Sequence, residues 1–405
     1  MNDTTANSIL RNRAFALYLC ARISTFLAFQ MFGVAVGWQI YALTGSAMYL
    51  GFVGLVQFLP MFCLTLVVGY AADRFDRRLI AKICQIIESL ATGVLALLSF
   101  HGLQHETSIL ILVAIVGAAR AFEGPTLQAL LPNLVPIKIF PRAAALSSSA
   151  MQTATIVGPA VGGFLYATGA TTVYVATCLL FFAASLFLAF IRMERAPVKP
   201  EPVTVQTLLA GINFIRDRKE ILGAISLDLF AVLLGGATAL LPIYARDILM
   251  VGPWGLGLLR SAPAVGALIM SMVLTRWPMQ DRVGRRMFLA VLVFGVATIA
   301  FALSKLFLLS LAALFVMGAS DVVSVVIRQS LVQIRTPDAM RGRVSAVNSM
   351  FIGTSNQLGE FESGVTAALF GTVPAAVLGG VGTILVALLW MRLFPELRDV
   401  RKLDV

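Results

Sequence analysis

Charge is scarce in this chain. Of 405 residues only 13% are Asp, Glu, Lys or Arg, while 59% are hydrophobic, and the mean hydropathy is +0.90. A soluble protein of this length carries roughly a quarter charged residues, so a soluble fold is excluded. Histidine is scarcer still, with two in the chain. The four cysteines, Cys20, Cys63, Cys84 and Cys178, form no Cys-x-x-Cys pair and read as small core residues. His101 and His105 in "HGLQH" are the one metal-like spacing, and on a short loop they are expected to be solvated, so no metal is expected. No G-x4-G-K-[ST] loop is present to cradle ATP phosphates, and no other cofactor is called for. No nucleophile–base constellation appears, so no enzyme is expected. A cleavable leader is not evident: "MNDTTANSILRN" is polar and the apolar run behind it is too long for a signal-peptide core.

What the chain has is long apolar runs. Spans can be drawn at 15–43, 48–71, 79–100, 108–131, 142–168, 171–191, 220–246, 252–276, 286–304, 307–333, 342–370 and 372–393, twelve in all. Each is near the ~20 residues that cross a bilayer as a helix. The net charge of +11 would suggest nucleic acid in a soluble protein. Here the basic residues crowd alternate connections: Arg74, Arg77, Arg78 and Lys82; Lys138 and Arg142; Arg192 to Lys219; Arg276 to Arg286; Arg335, Arg341 and Arg343. Positive loops stay cytoplasmic. Both termini are therefore expected inside, in contact with membrane lipids and not with nucleic acid.

The long polar stretch Arg192 to Glu220 divides the spans six and six. Its Pro-rich start reads as a linker. Leu208, Leu209, Ile212 and Ile215 then share one helical face beside Arg216 and Arg218, which suggests a helix lying on the membrane surface. The expected organisation is a six-helix bundle at 1–192, a linker with an interfacial helix at 193–219, a second six-helix bundle at 220–394 and a tail at 395–405. The halves repeat. "DRFDRR" (Asp73 to Arg78) returns as "DRVGRR" (Asp281 to Arg286), and "QALLPNLVPIKIFPR" (Gln128 to Arg142) aligns with "QSLVQIRTPDAMRGR" (Gln329 to Arg343). Parallel six-helix repeats are a transporter architecture.

These motifs carry a resemblance. "GYAADRFDRR", from Gly69, is similar to the G-x-x-x-D-R-x-G-R-R loop of the major facilitator superfamily, with Asp76 where Gly is usual; the second copy keeps Gly284. "RAFEG", Arg120 to Gly124, resembles the family's fourth-span R-x-x-Q-G with Glu123 in place of Gln. Gly158, Pro159, Gly162 and Gly163 match the core of its fifth-span antiporter pattern, and Ala145 and Ala154 replace two outlying glycines. "TPDAMRGR" looks like the branch of siderophore exporters and macrolide efflux pumps. The resemblance covers the whole chain. It implies an all-α membrane fold of twelve transmembrane helices in two pseudo-symmetric bundles, in a bacterial inner membrane, working as a monomer. It also implies that spans one, four, seven and ten line a central cavity, and that Gly69, Asp73, Arg77, Arg78, Asp281, Arg285 and Arg343 form the cytoplasmic gate, with Asp73 facing the start of the eleventh span near Arg343.

Carried through the repeat, "GPAVGG" falls on "GEFESG", which places Glu360 where the first half has Pro159. Glu360 stands about 27 Å along its helix from Gly342. Asn356 and Glu360, at i and i+4, share a face assigned to the substrate cavity, and Glu362 points elsewhere. The alternative for Glu360 is a structural pair with Arg260. Arg22 and Gln30 on the first span join the cavity set. Asp228, Asp321, Arg120 and Glu123 form the proton-coupling set, because a carboxylate whose burial and Arg neighbours change with access is a proton switch. The competing reading of these same residues is a static Arg–carboxylate lock between the halves. The function expected is proton-coupled antiport of an amphipathic small molecule, a drug or a siderophore. Lysophospholipid flipping on the same fold is the alternative.

Overall fold

The computed structural model describes residues 12–103, 105–191, 205–279 and 281–402. Among them every regular element is helical. The helices are α1 (Arg13–Thr44), α2 (Ala47–Arg74), α3 (Arg77–Phe100), α4 (Glu106–Leu130), α5 (Phe140–Tyr166), α6 (Ala170–Ala189), α7 (Val205–Asp217), α8 (Lys219–Leu234), α9 (Gly252–Arg276), α10 (Val283–Leu303), α11 (Phe307–Arg335), α12 (Asp338–Phe370), α13 (Thr372–Leu393) and the single turn α14 (Pro395–Arg398). Helices are what a bilayer permits, since each satisfies its own backbone hydrogen bonds. Among the described residues, ten helices are both long and apolar enough to cross a membrane. The fifth and eleventh spans, α5 and α12, have the length but more Ser, Gly and polar residues, which lowers their hydropathy.

The chain forms two compact units. Unit 1 comprises residues 1–43 and 59–202, and unit 2 comprises 44–58 and 203–405. The first stretch of α2 thus packs with unit 2: a Cβ on Gly51 would lie 3.0 Å from the Phe361 carbonyl oxygen and 3.2 Å from the Gly364 Cα. In unit 1, α3 packs against both α4 and α6. One apolar core there joins Phe15, Tyr18, Leu127, Leu130, Ala184 and Leu188. In unit 2, Leu227, Met287, Phe288, Ile327 and Leu331 form the corresponding core. The α5–α6 and α12–α13 turns repeat the same device, a glycine at positive φ: Gly169 at 125° and Gly371 at 90°. Only glycine adopts such a conformation without strain.

Four local features add to or differ from the sequence expectations. The seventh span is not one helix: α8 stops at Leu234, and the chain passes through Gly235 and Gly236 into a short tight turn at Ala237–Leu240 and a wide turn at Tyr244–Ile248. The Thr383 hydroxyl of α13 donates to the Ala231 carbonyl at 3.0 Å, meeting an acceptor beside the break. Second, α7, the expected interfacial helix, also packs on unit 2. Its Ile215 is buried among Ile221, Ile225, Val332, Val344 and Val347 of unit 2, although Ile212 is exposed; Leu208 and Leu209 lie outside the described side chains. Third, Asp76 occupies the family's glycine position as the N-cap of α3, its carboxylate accepting from the Arg78 backbone N–H at 2.9 Å. Fourth, Cys20 and Cys63 are exposed on their helices; only Cys84 is fully buried.

Candidate functional site

Unit 1 carries a polar cluster in the middle of its spans. α4 presents Arg120 and Glu123 one turn apart, and Arg120 Nη1 donates to Glu123 Oε2 at 2.8 Å. The other oxygen of Glu123 accepts from Gln85 Nε2 of α3 at 3.0 Å, and the same amide reaches Thr25 Oγ1 of α1 at 3.0 Å. Glu123 is completely buried with both oxygens engaged. The Arg120 guanidinium lies 4.2 Å from the Phe29 ring centroid and 4.8 Å from that of Phe26, a cation–π setting that replaces part of its lost hydration. Arg22 is buried against Tyr18 and Phe26, with a guanidinium nitrogen on the Met151 sulfur. Two of the expected proton-coupling residues, Arg120 and Glu123, are thus paired with each other on one helix.

α5 reaches α1 through its glycines. A Cβ on Gly158 would stand 2.6 Å from Gln30 Cβ, and one on Gly162 would stand 2.8 Å from Met31 Cα. Small residues permit this approach. Pro159 and Gly163 are buried in the same stretch. Gln30 is half-buried, so its stem is a packing surface for Gly158.

In unit 2, Asp228 of α8 is ion-paired with Arg328 of α11, both buried. This is a static Arg–carboxylate pair inside unit 2, whereas the expected lock was one between the halves. Asp321 stands two turns before Arg328 on α11 but has no ion pair among the described residues. Asp228 and Asp321 line one cavity of about 20 Å³ with Ser320, Ser324, Val291 and Phe294. That is room for about one water molecule.

Glu360 is half-buried on α12. Gly54 makes its space, since a Cβ there would lie 2.8 Å from Glu360 Cβ and 3.1 Å from Oε2. Arg260 of α9 is the basic group within its electrostatic reach. Glu362 turns away and accepts from the Thr366 hydroxyl at 2.8 Å. Asn356, placed in the cavity set, is exposed and donates back to the Ile352 carbonyl at 2.9 Å. The following glycine, Gly359, lies against Val232 and Leu233 at the end of α8. The repeat is therefore geometric as well as sequential: Gly158 packs on α1 and Gly359 on α8.

Of the loop residues, Arg77 donates to the Ala129 carbonyl at 3.1 Å, and Arg78 bonds the Ile191 carbonyl and sits 3.9 Å from Asp76. Asp281, Arg285 and Arg343 are exposed. Gly69 and Asp73 fall in α2 where side chains lie outside the description, so the expectation for Asp73 rests on sequence.

The unit 1 cluster includes two residues that the sequence reading did not select, Gln85 and Glu88. With Ser89 and Thr92 they form a polar stripe at three- and four-residue spacing along α3, all buried. That spacing in an apolar span was the available signal. The repeat also swaps charge. Matching Gly158·Gln30 to Gly359·Gly236 sets Asp228 where unit 1 has Arg22, and the Gln128/Gln329 alignment sets Asp321 where unit 1 has Arg120.

Comparison with known proteins agrees with this architecture. The enterobactin exporter EntS of Citrobacter koseri is 27% identical over 397 residues, covering 96% of this chain and 94% of the relative. EntS of Escherichia coli K12 is 26% identical over the same extent. The nucleoside transporter NupG superposes with a TM-score of 0.69 at 15% identity, covering 93% of this chain and 99% of that one. A bacterial homologue of the iron transporter ferroportin gives 0.70 at 17% identity, covering 96% and 99%. At such identities the solved structures speak for the fold alone. The transmembrane secretion effector family model matches residues 4–405, and on that match the chain belongs to this family of major facilitator transporters and is a multi-pass membrane transporter, not an enzyme.

Proposed function

We propose that this transporter is a secondary active exporter that moves an amphipathic small molecule, of siderophore or drug type, outward in exchange for protons. The observation that carries the reading is the cavity shared by Asp228 and Asp321 midway along their helices. An ionisable group at that depth is costly unless paired or used, and intramembrane carboxylates of transporters are the usual proton relays. The structure favours a division of labour. Asp228 is held by Arg328 and serves as a structural anchor, and Asp321, in the same cavity without an ion pair, exchanges the proton. Glu360 contacts substrate, with Arg260 balancing its charge when the cavity is empty. The relation to enterobactin exporters over nearly the whole chain supports outward transport of a hydroxyl-rich amphiphile. Both termini are assigned to the cytoplasm of a bacterial cell from the basic loops, and the working unit is a monomer.

The test uses proteoliposomes with an imposed pH gradient and three probes: enterobactin, ethidium and a fluorescent lysophospholipid. Accumulation of enterobactin or ethidium that collapses with a protonophore supports the proposal. Lysolipid flipping without accumulation of the other two replaces it with the lipid-handling reading.

A further inference from the structure

Glu88 has no role in the mechanism above, yet its setting is unusual. It lies midway along α3, roughly 17 Å of helix from either end. It is completely buried, and neither carboxylate oxygen has a hydrogen-bond partner among the described residues. One turn away, Gln85 spends its amide N–H groups on Glu123 and Thr25, which leaves Gln85 Oε1 as a further buried acceptor without a donor. Among the described residues the cluster therefore contains three unserved acceptor atoms, and the cation within electrostatic reach of Glu88, Arg120, is paired with Glu123. The groups facing Glu88 are Cys84 and Gln85 on its own helix and Arg120 and Glu123 on α4; α1 brings Thr25 onto Gln85 and Arg22 within electrostatic reach of Glu123 and Arg120. α6, which also packs on α3, has no charged residue; its titratable Cys178 meets Ser89, whose hydroxyl donates to the Cys178 carbonyl at 3.0 Å. An ionised Glu88 would be a buried charge without a donor, which structures avoid. A proton on Glu88 removes the charge and turns one acceptor into a donor.

The fold does not demand a carboxylate at this position. Aligning the starts of α3 and α10, Arg77 with Val283, brings their buried positions into register and places Phe294 where Glu88 stands and Val291 where Gln85 stands. Unit 2 builds the same helix with apolar side chains.

We infer that Glu88 is a second proton-binding site, in unit 1, and that it carries its proton while sealed from water. On opening, the Glu88 O–H bond breaks, the proton passes to a water molecule, and the electron pair stays on a carboxylate that Arg120 is placed to meet. Reprotonation from the other side reverses the step. This deepens the proton-coupled reading and rests on it, but is tested apart from it.

Dicyclohexylcarbodiimide adds to protonated carboxyls in apolar surroundings and leaves a stable N-acylurea. The purified full-length protein, treated at neutral pH and digested for mass spectrometry, is expected to carry the adduct on Glu88 and not on Glu123, with Glu88 labelling lost as pH rises. An unlabelled Glu88, or a labelled Glu123 in its place, overturns the inference. As a second measurement, Glu88→Gln is expected to remove a protonated-carboxyl C=O band from the infrared spectrum and to lose pH-driven ethidium flux. An unchanged infrared spectrum overturns the inference equally. If wild-type protein shows no pH-driven flux but Glu88 takes the label, the coupling proposal fails and the proton site stands.

Discussion

At the residue scale the decisive contrast is between two aspartates in one cavity. Asp228 holds Arg328, and Asp321 holds no partner among the described residues. Removing one member of a buried pair strands the other charge and costs about 3–5 kcal/mol. Asp228→Asn is therefore expected to lower thermal stability in detergent markedly, and Asp228→Asn with Arg328→Met to recover most of the loss. Asp321→Asn strands nothing. It should leave the melting temperature near wild type and abolish pH-gradient-driven export. Equal stability loss in both single variants would refute this division. The presence of both acids on cavity-lining spans was readable from the sequence. The choice of partner was not: Arg328 shares a helix face with Asp321 but stands two turns from it, and that it meets Asp228 depends on how α8 packs on α11.

At the element scale, glycines set the distances between helices. Gly162 brings α5 onto Met31 of α1. Gly162→Leu would drive a branched side chain into backbone, and overpacking of that kind costs about 1–3 kcal/mol or more. Transport should be lost while membrane insertion, read by fractionation, persists; retained transport would dismiss the close-packing role. The break in the seventh span offers a milder probe. Thr383→Val removes the hydroxyl bonded to the Ala231 carbonyl and should cost about 0.5–1.5 kcal/mol in stability. The "GG" at 235–236 was visible in the sequence, but glycine pairs are tolerated within transmembrane helices, so only packing against Gly359 and Gly379 shows why the helix stops there.

At the scale of the whole molecule, the C-terminal segment is part of the fold of unit 2. Leu397 is fully buried, Val283 N–H donates to the Arg401 carbonyl at 3.3 Å, and Gly284 N–H donates to Val400 at 3.0 Å. A Cβ on Gly284 would collide with the Leu397 carbonyl and come within 2.8 Å of that of Arg398. Gly284→Ala should therefore release the tail, seen as faster tryptic cleavage after Arg398 and Arg401; an unchanged digest would show that the tail docks by other contacts. This gives the second "DRVGRR" loop a local task that the first copy, capped by Asp76, does not share. For the first copy, Asp73→Asn is expected to impair export and raise the labelling of cytoplasmic cysteines introduced near the loop. Normal export with unchanged labelling would remove Asp73 from the gate.

The sequence by itself determined that the chain is a helical membrane protein built from two repeats, because apolar run length and the return of two loop motifs are one-dimensional signals. It also marked Arg120, Glu123, Asp228, Asp321 and Glu360 as the charges to explain, since any charge inside an apolar span is conspicuous. The tertiary structure decided which of the acids meet a base, where the seventh span breaks, and that Gln85 and Glu88 belong to the unit 1 cluster. Helical spacing tells which residues share a face. Which neighbour that face meets depends on how closely two helices approach, and here that approach is set by glycines on one helix and the side chains of another.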